Sequence, residues 1–256
     1  MLLCVDVGNT QTVLGTFDGD RMAHSWRIKT DARATADELA LTVRGLLASE
    51  AVDITGIAAC STVPAVLHEL RAMFARYFAK VPVLVVEPGV RTGVQLAYHN
   101  PREVGTDRVM NTLAAHAMYG GPAVVVDFGT STSFDVVGES GAFLGGALAP
   151  GVEISADALA SRAAQLVKVE LARPPRAIGK STVEALQSGI IYGVAGQVDG
   201  IVGRISDELG PLRAVIATGG LAPLVINECR TVTDHEPHLT LIGLRLVYGK
   251  NHQSGH

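Results

Sequence analysis

This 256-residue chain holds only three cysteines, Cys4, Cys60 and Cys229. They are odd in number and far apart, which excludes a disulfide framework and points to inert thiols in a reducing compartment. Aromatic residues make up 5% of the chain, too few for a base-stacking surface, and a formal net charge of −4 lacks the basic face of a general nucleic-acid binder. No apolar run reaches the length of a membrane span, and the chain enters a strand at residue 2 with no basic leader. No membrane or nucleic-acid partner is therefore expected, and the chain reads as cytoplasmic. Gly-x-Ser-x-Gly, Cys-x-x-Cys and Gly-x-x-x-x-Gly-Lys-[Ser/Thr] are all missing, which leaves hydrolase, thiol-redox and P-loop chemistry without their residues. The eight histidines form no metal spacing, and His235-x-x-His238 reads as a surface pair.

What is present is a turn that occurs twice. Val5-Asp6-Val7-Gly8-Asn9-Thr10 recurs 121 residues later as Val126-Asp127-Phe128-Gly129-Thr130-Ser131. Each copy follows a short apolar run and precedes alternating residues, from Thr12 to Phe17 and from Thr132 to Val137, so each reads as strand, acidic glycine turn, strand. Such a turn suits phosphate. Glycine permits close backbone approach, backbone N–H groups face the anion, and the aspartate holds a cation or its water. One copy alone also reads as an ordinary hairpin turn; two copies with matched flanks favour the phosphate reading. Thr218-Gly219-Gly220, after a third buried strand, would let a nucleoside lie against the backbone.

Periodicity predicts strands near residues 2–6, 11–17, 22–28, 54–60 and 82–86, then 123–127, 131–137, 142–149 and 214–217. The capping box Thr35-Ala36-Asp37-Glu38 opens a helix with Ala36, Leu39, Ala40, Val43, Leu46 and Leu47 inward. Pro64 opens another, with Leu67, Leu70, Phe74, Tyr77 and Phe78 inward. Further helices are expected at 106–119 (Val109, Met110, Leu113, Ala114 and Ala117 inward), at 152–163, from the capping box Ser181-Thr182-Val183-Glu184 to Leu209, and at 239–248. Residues 87–105 and 167–180 read as loops, the first functional by its length, and the tail from Lys250 should fray. The halves share an opening, which implies an ancient duplication: two α/β lobes, residues 1–119 and 120–256, with a cleft between them.

The three turns together resemble the acetate-kinase, sugar-kinase, Hsp70 and actin superfamily. Further motifs resemble type III pantothenate kinases: Tyr98-His99-Asn100-Pro101-Arg102-Glu103-Val104-Gly105-Thr106-Asp107-Arg108, Gly145-Gly146-x-x-x-Pro150-Gly151 and Ile178-Gly179-Lys180-Ser181-Thr182. The resemblance runs from Leu2 to Tyr248. It implies two ribonuclease-H-like (actin-like ATPase) lobes and ATP-dependent phosphorylation of pantothenate to 4'-phosphopantothenate, the first step of coenzyme A biosynthesis. It implies ATP contacts at Asp6, Val7, Gly8, Asn9, Thr10, Gln11, Thr12, Val13 and Thr130. Asp6 would orient Mg2+ through water, and Asp127 would hold a monovalent cation, K+ or NH4+.

Phosphoryl transfer to an alcohol needs a carboxylate near the hydroxyl. Asp107, at a helix entry, is the candidate base. Arg108 can pair with the substrate carboxylate, and the N–H groups near Gly105 and Thr106 add donors. Taken alone, Asp107 reads first as a helix cap and Arg108 as a solvated first-turn residue; the family resemblance reverses that. Tyr98 and Thr182 match substrate-side positions, although Tyr98 also reads as packing and Thr182 as the residue after a cap. Gly189, Gly193, Gly196, Gly200 and Gly203 follow spacings of 4, 3, 4 and 3 along one helix face. A close neighbour should cover that row, either within the chain or in the homodimer that the resemblance implies. Two other readings stay open: a kinase of this superfamily with another acceptor, and a nucleotide-binding regulator without turnover.

Overall fold

The computed structural model describes residues 1–162 and 169–252. The chain forms β1 (Leu2–Val7), β2 (Gln11–Asp18), β3 (Arg21–Lys29), α1 (Ala36–Ser49), β4 (Gly56–Ser61), α2 (Pro64–Tyr77) and β5 (Val83–Val85). A 3-10 turn at Pro101–Glu103 leads into α3 (Thr106–Tyr119). Then come β6 (Ala123–Phe128), β7 (Ser131–Val137), β8 (Phe143–Pro150), α4 (Val152–Arg162), α5 (Thr182–Leu209), β9 (Ala214–Thr218), α6 (Ala222–Val225), β10 (Asp234–His235) and α7 (Leu239–His252). The end of the helix expected at 152–163, the first residues of the loop expected at 167–180, and tail residues 253–256 lie outside the described residues.

The two five-stranded sheets have matching orders, β3-β2-β1-β4-β5 and β8-β7-β6-β9-β10. In each, three antiparallel strands are followed by two parallel additions. Both carry a register shift on the second strand, at Thr16/Phe17 and at Val136/Val137. The expected duplication is therefore present at the level of topology, as two α/β lobes.

Two compact units divide the chain: Met1–Gly93 with Asn100–Ala114 and Thr240–His256, and Val94–His99 with Ala115–Leu239. In the first, Leu3, Val5 and Val7 alternate onto one face of β1 and form a core with Val43 and Leu47 of α1 and Leu70 and Phe74 of α2. Asp6 falls on the opposite face. There α7 sits so close that a Cβ on Gly15 would stand 2.8 Å from Leu241 Cδ1, and one on Gly243 would stand 2.2 Å from the Met110 carbonyl oxygen of α3. In the second unit, Val124, Val126 and Phe128 of β6 meet Ile191, Ala195 and Val198 of α5.

Four local expectations are corrected. The buried stripe of α2 is Val66, Leu70, Met73 and Phe74, an i, i+4, i+7, i+8 row. Leu67 lies beside that stripe, whereas Tyr77 and Phe78 pack against the core as expected, partly buried, with the Tyr77 hydroxyl on Asp37 and Phe78 as the C-cap. On α3, Ala117 is exposed while Asn111 and Thr112 are buried. Both make hydrogen bonds: Thr240 Oγ1 donates to Asn111 Oδ1 at 2.8 Å, and Thr112 Oγ1 donates to the Arg108 carbonyl at 2.9 Å. The second capping box is half formed. Ser181 Oγ accepts from Glu184 N, but the Glu184 carboxylate takes the Lys180 N–H at 2.7 Å. Residues 250–252 do not fray, because Asn251 Nδ2 donates to the Arg91 carbonyl at 3.0 Å and Arg91 donates to that of Lys250.

Candidate active site

The first phosphate turn closes between Val7 and Thr12, which are partners in the β1–β2 ladder. Gly8 N–H donates to the Gln11 carbonyl at 3.0 Å, and a Cβ on Gly8 would crowd that oxygen at 3.1 Å. Asn9, Thr10 and Gln11 form an exposed tip, while Thr12 is buried and Val13 partly buried on β2. The Gln11 amide is held by Arg27 of β3, whose Nη1 donates to Oε1 at 2.6 Å. The second turn is tighter by a residue: Phe128 pairs with Thr132, and Gly129 N–H donates to the Ser131 carbonyl at 3.1 Å. Thr130 is exposed at its tip.

Each aspartate is partly buried at the end of its strand. Asp6 sits beside Cys60 across the parallel β1–β4 pair, and the thiol donates to Asp6 Oδ1 at 3.3 Å. Cys60 is fully buried. Burial first, then the charges of Asp6 and Asp107, push its thiol far above the usual range, so it stays a neutral donor. Thr106 also lies against it. Asp6 is thus bonded to this sulfur, and the charge of Asp107 is near enough to act on it. Sequence reasoning took Cys60 for an inert strand thiol and missed this; the available signal was that β4 must pair beside β1 and bring a polarisable donor level with Asp6.

Asp107 occupies the first turn of α3, where its Oδ1 accepts the Arg108 N–H at 2.9 Å. A Cβ on Gly105 would stand 2.4 Å from that same oxygen, so glycine clears the place of the carboxylate. Desolvation raises the Asp107 carboxyl above its ordinary value, against the opposing pull of the Arg108 N–H and charge. A desolvated carboxylate with a raised pKa is a stronger proton acceptor than one in water.

In the second unit, Asp127 is level with Thr218 across β6 and β9. A Cβ on Gly219, where φ is +91°, would fall 2.4 Å from Asp127 Oδ1 and 2.7 Å from Phe128 N. The Thr218-Gly219-Gly220 turn and the second phosphate turn therefore touch. Gly151 seats its backbone against the same turn, since a Cβ there would lie 2.2 Å from the Thr130 carbonyl oxygen. Tyr98 is 40% exposed and leans on Phe143 with ring centroids 5.9 Å apart, over Gly145. Thr182 is the exposed first residue of α5.

A model of the type III pantothenate kinase family matches residues 2–204. The type III pantothenate kinase of Salinispora arenicola (strain CNS-205) is 67% identical over 251 residues, covering 98% of this chain and 100% of that relative. The chain belongs to the type III pantothenate kinase family. Other relatives of that name are 57–66% identical. Among solved structures, the activator of the 2-hydroxyisocaproyl-CoA dehydratase from Clostridium difficile, with bound ADPNP, aligns with a TM-score of 0.56 at 11% identity, over 100% of this chain and 98% of that one. The ROK hexokinase from Thermus thermophilus gives 0.53 at 15%, over 99% of each chain. At such identities these two speak for the fold alone. The span matched by the pantothenate kinase family holds both phosphate turns, Asp107 and Thr182, but ends before Thr218-Gly219-Gly220.

Proposed function

We propose that this chain transfers the γ-phosphoryl group of ATP to the terminal hydroxyl of pantothenate, giving 4'-phosphopantothenate and ADP, the first step of coenzyme A biosynthesis. The observation that carries this reading, in a chain of this family, is that Asp6 of the first turn is bonded to buried Cys60 while the charge of desolvated Asp107 also acts on that thiol. It supports reading Asp107 as a base that works beside the aspartate of the first turn. Asp107 takes the hydroxyl proton, the freed oxygen attacks the γ-phosphorus, and the bond to the β-phosphate oxygen breaks as ADP leaves. Arg108, the N–H groups at Gly105 and Thr106, Tyr98 and Thr182 hold pantothenate, with the guanidinium on its carboxylate.

ATP is taken by the residues from Asp6 to Val13 and by Thr130. Asp6 fits magnesium, which favours a single carboxylate, waters and substrate phosphates over a cage of protein ligands; bound there, the ion would neutralise phosphate charge. Asp127, against the Gly219 backbone, is assigned a monovalent cation, K+ or NH4+. In this reading the lobe of residues 1–119 brings the base and the acceptor loop, and that of residues 120–256 the second phosphate turn.

We assign the chain to the cytoplasm; no helix among the described residues is long and apolar enough to cross a membrane. A homodimer is supported by the glycine row of α5. A Cβ on Gly189, Gly193, Gly196 or Gly203 would meet nothing within 4 Å, and one on Gly200 only Arg204 of the same helix. Among the described residues, Arg204 at Gly200 is the one neighbour within 4 Å of those positions, which leaves the row open to a second helix. An open groove of about 490 Å³ runs there, between α5 and Ser155 and Leu159 of α4.

The deciding experiment is a coupled ADP-release assay with pantothenate against a panel of other alcohols, in potassium and in sodium. Turnover with pantothenate that fails in sodium is expected. Turnover only with another acceptor would replace the substrate, equal rates in both salts would remove the cation, and nucleotide binding without turnover would make the chain a regulator.

A further inference from the structure

Thr30, the residue after β3, meets the first phosphate turn at two points. Its Oγ1 donates to the Gly8 carbonyl at 2.8 Å and its N–H donates to the Thr10 carbonyl at 3.0 Å. The same hydroxyl lies 2.9 Å from Thr12 Oγ1. Thr30 is 9% exposed, so these bonds are made out of water, where a lost partner is costly.

The consequence follows from peptide geometry. A trans peptide carries its C=O and its N–H on opposite sides of one plane. Fixing the Gly8 carbonyl toward Thr30 turns the Asn9 N–H away from it. Fixing the Thr10 carbonyl likewise turns the Gln11 N–H away. Two of the donors expected to face phosphate are therefore oriented from behind by one residue.

The second half lacks this device. Ser131 pairs with Pro150 as Gln11 pairs with Lys29, so Gly151 stands where Thr30 does. Glycine offers no hydroxyl, and instead the turn's carbonyls press on its bare Cα. Thr132, the counterpart of Thr12, is left with a buried hydroxyl that has no partner among the described residues. One turn is clamped by a side chain and the other is packed on backbone.

We propose that Thr30 is a positioning residue for nucleotide binding, holding the peptide planes of the first turn so that the Asn9 and Gln11 N–H groups are presented to the phosphates of ATP. This rests on the reading of that turn as an ATP site. The test is equilibrium binding of magnesium adenylyl imidodiphosphate by calorimetry, with kcat and both KM values, for the native chain, Thr30→Val and Thr30→Ser.

Valine keeps the branched shape and the N–H but removes the hydroxyl, and should weaken nucleotide binding and raise the KM for MgATP by roughly threefold to tenfold. The KM for pantothenate should stay within about twofold, and serine should restore binding. Native-like nucleotide affinity in Thr30→Val, or equal changes in both KM values, would overturn the proposal. If the valine variant does not fold, the serine variant decides: near-native affinity supports the hydroxyl, and an affinity loss of about tenfold overturns it. A native chain that binds no nucleotide would instead refute the ATP reading itself.

Discussion

A carboxylate in water is a poor base, and the proposed role of Asp107 rests on its being taken out of water. Burial raises its pKa from 3.8, while the Arg108 N–H and charge hold that rise in check. The base must be ionised to work, so kcat should fall as pH drops through a value above 3.8, and a pH–rate profile would show it. The sign for stability is opposite. A carboxyl whose pKa is raised by folding is less favourable ionised in the folded state than in the unfolded one. Its destabilisation is fully present above the folded pKa and disappears as pH falls through it toward the unfolded value. Asp107→Asn should therefore lose about 10²–10⁴-fold in kcat, keep its ATP affinity, and match or exceed the native melting temperature at neutral pH. Near-native turnover would remove Asp107 as the base. Gly105→Ala tests the same oxygen from outside: its Cβ would land 2.4 Å from Asp107 Oδ1, so the carboxylate must move. A displaced base should lower kcat by up to about 10²-fold with the fold intact by circular dichroism; unchanged kcat would mean that the observed place of the carboxylate is not the working one.

At the scale of elements, most of the secondary structure was legible, because strand alternation and helix stripes are local. The turns at Gly8 and Gly129 could be found because an acidic glycine turn interrupts two apolar runs. What was not legible depends on partners distant in sequence. Val66 and Met73 lie on the stripe that meets the core, a choice made by the elements α2 packs on. Asn111 looks solvent-facing until Thr240, 129 residues on, supplies its bond. Cys60 gains meaning only beside Asp6. The glycine row of α5 was legible as a pattern but not as an open surface. Each glycine in a helix costs about 1 kcal/mol against alanine, and no side chain among the described residues fills the space at Gly193. Gly193→Arg should therefore hold or raise the stability of the protomer while preventing close approach of a second helix. Sedimentation should show a native dimer and a monomeric variant. A native chain that is monomeric at micromolar concentration would end the dimer reading.

At the scale of the whole molecule, nothing in the sequence of α7 says with which half it packs. It follows β10 of the second unit directly, and it lies outside the span matched by the family, yet Thr240–His256 belongs with the first unit. Leu241, Leu244 and Val247 are at most 1% exposed there. Burying each contributes about 1.5–3 kcal/mol, so the three together rival the ~5–15 kcal/mol that holds a typical domain folded. A Cβ on Gly56 would strike the Tyr248 hydroxyl oxygen at 2.3 Å, and Arg245 pairs with Asp20, so the helix is fitted to β4 and to the β2–β3 turn rather than loosely laid on them. A chain ending at Glu236 keeps Asp6, Cys60 and Asp107 but strips the cover from the sheet that carries the first two. It should lose the protection of β1 and β4 amides in hydrogen exchange and with it nucleotide binding, even though no residue assigned to ATP is removed. Retained protection and binding in the shortened chain would show that the family-matched span is enough for the first unit, and that α7 serves something other than its stability.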